Sequence, residues 1–127
     1  MSANGGRFNH GALFKAHGIG KDHQAVDGHH EIILGHAGAK DYYYFKVINM
    51  IKKNKGKNIF VDISGDILYR GMLELFVEEL GSSKILFGTD SPWTDPLLTV
   101  LYVLDSKISA EDKENIFYNN AAALFNI

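Results

Sequence analysis

The sequence contains no cysteine. That rules out disulfides, thiolate nucleophiles and cysteine-ligated metals, and it leaves the cytoplasm as the default expectation for compartment. Charge of one sign is also missing. Thirteen basic residues face fifteen acidic ones, for a formal net charge of −2. Nothing electrostatic therefore favours nucleic acid or an anionic membrane as a partner. No apolar run approaches the roughly 20 residues of a membrane span. Residues 1–6 are small and polar, without the apolar stretch of a signal peptide. Nucleotide-binding glycine loops are missing as well. No G-x-G-x-x-G or G-K-[ST] follows a strand, which argues against a doubly wound nucleotide-binding domain. With 127 residues, 46% hydrophobic and 22% charged, the chain is long enough for one modest domain with a core.

What is present divides at about residue 30. Residues 1–30 hold His10, His17, His23, His29 and His30 among six glycines. This irregular His/Gly-rich segment reads as loop. From residue 31 a regular alternation begins. Glu31-Ile32-Ile33-Leu34-Gly35-His36-Ala37-Gly38 is a short apolar run closed by glycine and a polar residue. Residues 41–54 suit a helix, with Asp41 as cap and Phe45, Ile48 and Ile51 on one face. Asn58-Ile59-Phe60-Val61-Asp62-Ile63-Ser64-Gly65 is a second strand, rich in β-branched and aromatic residues. A helix over 68–80 follows, with Met72, Leu75, Phe76 and Leu80 inward and Gly81 as its stop. Lys84-Ile85-Leu86-Phe87-Gly88-Thr89-Asp90 is the third strand.

Asp95 and Pro96 then supply an N-cap and a first-turn proline. The helix after them, through Leu104, is apolar on most sides and is expected to be buried. The last helix starts at Ser109, with Asp112 completing a variant of the capping box. Asn119 and Asn120 are candidate break points within it.

Strands alternating with helices at this spacing predict βαβ units and a parallel sheet. Continuous apolar strands predict burial on both sheet faces. A complete (β/α)8 barrel takes about 250 residues. Residues 31–127 therefore predict either a small open α/β sheet or the C-terminal half of a barrel. In parallel sheets, side chains at the carboxyl ends of the strands line the crevice where ligands bind. His36, Asp62 to Ser64 and Asp90 fall at those ends. A neutral imidazole and a carboxylate are suitable ligands for Zn²⁺ or a similar divalent ion, which would activate a water near neutral pH. Asp62 reads as a hydrogen-bonding or capping residue. Trp93 is a candidate wall for a small-molecule substrate, with core packing as the alternative.

These strand ends carry a resemblance. Ile85-Leu86-Phe87-Gly88-Thr89-Asp90-Ser91-Pro92-Trp93 resembles the last barrel strand of the amidohydrolase superfamily, in its amidohydrolase-2 (amidohydrolase-related) branch. Ile32-Ile33-Leu34-Gly35-His36-Ala37-Gly38 is similar to that branch's sixth strand, and Ile59-Phe60-Val61-Asp62-Ile63-Ser64-Gly65 to its seventh. Ser109 to Ile116, followed by Asn120-Ala121-Ala122-Ala123-Leu124-Phe125, is similar to its closing helix. The resemblance implies a partial TIM barrel and metal-dependent hydrolysis or decarboxylation of a small organic substrate. It implies Asp90 as a metal ligand and His36 as ligand or catalytic base. It leaves His17 as the candidate for the strand-five histidine.

The family's first strand carries a His-x-His pair, and no His-x-His occurs in this sequence. The alternative expectation is thus a catalytically incomplete half-barrel, acting only through self-association or with a missing N-terminal half.

Overall fold

Alternation of side chains along the middle strand decides where the core lies. In this computed structural model, which describes residues 31–38, 43–54, 58–65 and 69–127, three strands form one parallel sheet. They are β1 (Ile32–Leu34), β2 (Ile59–Asp62) and β3 (Ile85–Leu86), in that spatial order. Leu34 pairs with Val61, and Val61 with Ile85, so all three carboxyl ends meet at one edge. Ile59, Val61 and Ile63 are buried on one face together with Ile85. Helices α1 (Tyr43–Lys53) and α2 (Met72–Leu80) contribute to the same core, with Tyr44, Ile48 and Ile51 from the first and Leu73 and Phe76 from the second. The Tyr44 and Phe76 rings meet edge to face at 6.0 Å, an arrangement favoured by the ring quadrupoles. Lys52 and Glu79 join the outer sides of the two helices.

The inward faces differ from expectation by one position. Tyr44, not Phe45, begins the buried stripe of α1, and Phe45 is 60% exposed. The spacing 44, 48, 51 follows i, i+4, i+7, which keeps a narrow stripe in line better than 45, 48, 51. In α2, Leu73 joins Phe76 in full burial, while Met72 and Leu75 are partly covered. Gly81 ends this helix at φ 80°, its N–H bonded to Val77 O at 2.9 Å. Burial on both sheet faces holds for β3 alone. Ile33 and Phe60, which pair on the face away from the helices, are only partly covered. In a closed barrel that face is filled by layers drawn from other strands.

Helix α3 (Pro96–Asp105) starts as its sequence indicates, with Asp95 Oδ1 accepting from Leu97 N at 2.9 Å. Its expected burial does not occur. Thr99 and Val103 are buried, but Leu97, Leu98, Leu101 and Leu104 are each 51–56% exposed. One stripe suffices to dock a helix, and the remaining leucines are only half covered by the described residues. Tyr102 supplies the polar part of the docking. Its hydroxyl donates to Tyr69 O at 2.9 Å and accepts from Leu73 N at 3.0 Å.

Burial pushes the Tyr102 phenol up to about 12, against the hydrogen bond from Leu73, with the Glu74 charge adding to the rise. A raised pKa in the folded state means stability present below pH 10 and lost as pH climbs from 10 to 12. Allowing for partial exposure, the loss is about 1–2 kcal/mol. Denaturant unfolding of wild type and Tyr102→Phe should show this directly. The stability gap between them is expected to shrink across that pH range, and a constant gap would contradict the linkage.

The C-terminal segment is one continuous helical run. It comprises α4 (Ala110–Glu114), a π turn (Asn115–Asn119) and α5 (Asn120–Phe125). The capping box at Ser109 and Asp112 forms as expected. Hydroxyl bonds from Ser82 and Ser109 hold the Asp112 carboxyl below its usual range. Asn119 and Asn120 do not break the helix. Asn120 N bonds to Asn115 O, five residues back, and not to the Ile116 carbonyl. It accepts instead from Phe87 N at 3.1 Å, just past β3. The Asn120 amide reaches back to Ser82 O and Ile85 O, both at 2.7 Å. The Phe87 and Phe117 rings meet beside this junction, centroids 5.1 Å apart and tilted by 48°. The closing helix thereby pins the strand that leads to Asp90.

Candidate metal centre at the carboxyl ends of the strands

After Leu34 the chain turns sharply through Gly35–Gly38. His36 and Ala37 both take left-handed backbone angles, with φ 57° and 37°. Side chains carrying a Cβ adopt that region at a cost of about 1–2 kcal/mol each. Asp62 offsets part of it, its Oδ1 accepting the His36 N–H at 3.2 Å. The same oxygen accepts Ser64 N at 2.9 Å and the Ser64 hydroxyl at 2.5 Å. Gly65 completes the seat. At φ 72° it lies against the His36 ring, and a Cβ there would stand 2.2 Å from Nδ1.

The third strand end arrives through Gly88. A Cβ at Gly88 would come within 3.1 Å of Ser64 Cβ and 3.3 Å of the Asp62 carboxylate. This close approach brings the β3 extension over β2. Asp90, also left-handed at φ 58°, begins a tight turn in which its carbonyl accepts from Trp93 N at 2.8 Å. Aspartate tolerates this conformation better than most residues. The result is a facing pair, with His36 Nε2 3.8 Å from Asp90 Oδ1 and both side chains partly open to solvent.

The amidohydrolase family profile (Amidohydro_2) matches residues 15–127. The chain belongs to the amidohydrolase family. No curated protein sequence matches this amidohydrolase chain significantly. Solved structures do. It is similar to 5-carboxyvanillate decarboxylase LigW from Sphingomonas paucimobilis, at 22% identity and a TM-score of 0.60, over 76% of this chain and 34% of that one. It is similar to a 2,6-dihydroxybenzoate decarboxylase complexed with 2,6-dihydroxybenzoate, at 25% identity and TM-score 0.61, over 76% and 34% of the two chains. A dihydroxybenzoic acid decarboxylase from Polaromonas sp. JS666, holding manganese and the inhibitor 2-nitroresorcinol, matches at 23% identity and TM-score 0.61, over 76% and 33%. The chain thus spans about a third of these structures' length. Its parallel sheet and flanking helices are a partial TIM barrel.

Two donors sharing a divalent ion at about 2.0–2.2 Å each stand about 3–4 Å apart, depending on the angle between them. The 3.8 Å separation of His36 Nε2 and Asp90 Oδ1 meets that requirement. The amidohydrolase chain thus presents an imidazole and a carboxylate fit for one ion. Among the described residues no group of three or more potential ligands forms. His17 lies outside the described residues. Trp93 is 84% exposed, which excludes core packing and leaves its ring beside the turn that holds Asp90.

Two hollows of about 590 and 450 Å³ lie elsewhere, along α3 by Leu101 and Leu104 and between Arg70, Glu74 and Lys107. They are open troughs remote from the strand-end chemistry. Sequence reasoning did not single out Gly65 and Gly88 as the seats of the site. Each closes a strand pattern in the sequence, and a glycine one or two residues from a polar strand end was the available signal.

Proposed function

We propose that this chain supplies the His36 and Asp90 side of a divalent-metal site in an amidohydrolase-type barrel acting on a small aromatic acid. The reaction favoured is decarboxylation, with metal-assisted hydrolysis as the neighbouring alternative. The observation that carries the reading is the His36–Asp90 pair, 3.8 Å apart where the strand ends converge. The resemblance to aromatic-acid decarboxylases, one of them holding manganese, supports the substrate class and the metal.

Asp90 would hold the ion through a carboxylate oxygen. His36 would act as a second ligand or as the group that gives and takes a proton at the reacting carbon or water. A divalent ion in that position supplies Lewis acidity toward substrate oxygens. Manganese and zinc both accept this donor pair. Trp93, exposed beside the Asp90 turn, would cover a flat substrate ring.

A second reading concerns completeness. Catalytic zinc sites use three protein ligands plus water, and the described residues bring together two. The leucines of α3 also expose a contiguous apolar face, of the kind that marks an interaction surface. The chain would then act with a second copy of itself or with further polypeptide that supplies the remaining strands.

Manganese titration of ¹⁵N-labelled protein tests the first reading. Paramagnetic broadening is expected to appear first at residues 35–37 and 88–91. Broadening confined to exposed carboxylates of α4, or none at stoichiometric metal, would sink it. Carbon dioxide release from 2,6-dihydroxybenzoate, against ester or lactone hydrolysis, separates the two reactions. Light scattering at tens of micromolar separates a monomer from an associating half-barrel.

A further inference from the structure

We propose that Asp62 is a positioning residue. Its carboxylate ties the backbone of His36 to the end of β2, and so fixes the imidazole on Gly65 and opposite Asp90. This deepens the metal-site reading and rests on it for its consequence, though not for its geometry. A carboxylate is a poor strand residue, and carboxylates are depleted from strands. Asp62 nevertheless sits in β2, in register with Leu86.

Its Oδ1 accounts for this by accepting three donors. Two come from Ser64, two residues further on and just past β2, and one comes from His36, on the turn after the neighbouring strand. The Ser64 pair fixes the direction of the carboxylate. The His36 N–H then has one place to go. That bond, donated by the His36 N–H, is the direct link between the Asp62 carboxylate and the turn, which holds two non-glycine residues in left-handed geometry.

With the backbone fixed, the ring has little freedom. Gly65 touches one side of it, at a position where even a methyl group could not fit. Gly88 packs against the same carboxylate, where a Cβ would stand 3.3 Å from Cγ and Oδ1, so the approach to Asp90 is set by the same residue. Three donors occupy Asp62 Oδ1, and Asp62 does not join His36 and Asp90 as a third potential ligand. The residue therefore acts through His36 rather than on a bound ion.

Amide hydrogen exchange and manganese affinity on the full chain test this. In Asp62→Asn, a neutral acceptor of the same shape replaces a charged one. His36 N–H is expected to exchange about tenfold faster, since charge-assisted bonds are roughly twice as strong. Phe87 N–H, bonded to Ile116 O, serves as the internal reference and should not change. Manganese affinity is expected to fall about tenfold, the usual scale for losing a residue behind a ligand.

In Asp62→Ala the ring contact between His36 and Gly65 should vanish from NOE spectra, with asparagine restoring it. A purely structural role would speed exchange at His36 and Phe87 by one common factor. That result, or unchanged protection at His36, overturns the proposal. Should the alanine variant fail to fold, the asparagine variant decides alone. Should wild type bind no manganese near His36, the metal reading falls while the exchange pattern still judges the latch.

Discussion

Gly65→Ala is expected to displace the His36 ring and to lower stability by about 2–4 kcal/mol. Two penalties coincide at this position. The backbone at φ 72° disfavours any residue with a Cβ. The added methyl would also stand 2.2 Å from Nδ1 and 2.9 Å from Cε1 of the imidazole. The ring is the softer partner and should swing away, breaking its approach to Asp90. A loss of that size is a large share of the roughly 5–15 kcal/mol that keeps a domain folded. Denaturant midpoints measure the stability. NOE contacts of the His36 ring measure the displacement. An alanine variant with wild-type midpoint and unmoved His36 resonances would show that the ring does not rest on Gly65.

Asn120→Ala should cost a similar amount, about 2–4 kcal/mol. A single side-chain amide donates to Ser82 O and Ile85 O, both at 2.7 Å. Ser82 O retains the bond from Ile85 N, but the second carbonyl loses a partner in a half-buried junction. On thermal unfolding the shift should be on the order of 10 °C. Asn120→Asp sharpens the test. It substitutes an oxygen where the amide donates, and turns two attractions into repulsions. Aspartate is therefore expected to be worse than alanine, although it is closer in shape to asparagine. The reverse order would mean that Asn120 contributes by packing and not by donating.

Much of this arrangement is legible in the sequence because it depends on short local patterns. The three strands, the caps at Asp95 and Ser109 and the stop at Gly81 each follow from a few adjacent residues. The convergence of His36 and Asp90 follows from parallel topology, which places all carboxyl ends together. What escapes local reading depends on partners distant in sequence. Tyr44 rather than Phe45 turns inward because Phe76 and Tyr69 meet it there. Leu73 is buried because Tyr102, on another helix, anchors its backbone. Periodicity expected α3 to be buried, since it measures how apolar a helix is and not how much surface is available to cover it. Four half-exposed leucines record that difference. Asp62 is visible in the sequence as a hydrogen-bonding carboxylate. Its bond to His36 spans 26 residues, and no local pattern announces such a partner.

The π turn at Asn115–Asn119 makes this stretch sensitive to length rather than to composition. A regular α-helix would give the Ile116 carbonyl to Asn120 N–H, and Phe87 would have to share it. One extra residue in the turn releases it. Shortening the turn by one residue, with Ile116 kept, would draw its carbonyl into the ordinary bond of an α-helix. Residues beyond would keep nearly the same phase, because five residues of a π turn and four of an α turn cover about the same rotation. Asn120 would therefore stay on Ser82 and Ile85 while Phe87 has to share its acceptor. The two attachments of the Asp90 strand thus answer to different changes: turn length governs one, and the Asn120 side chain the other.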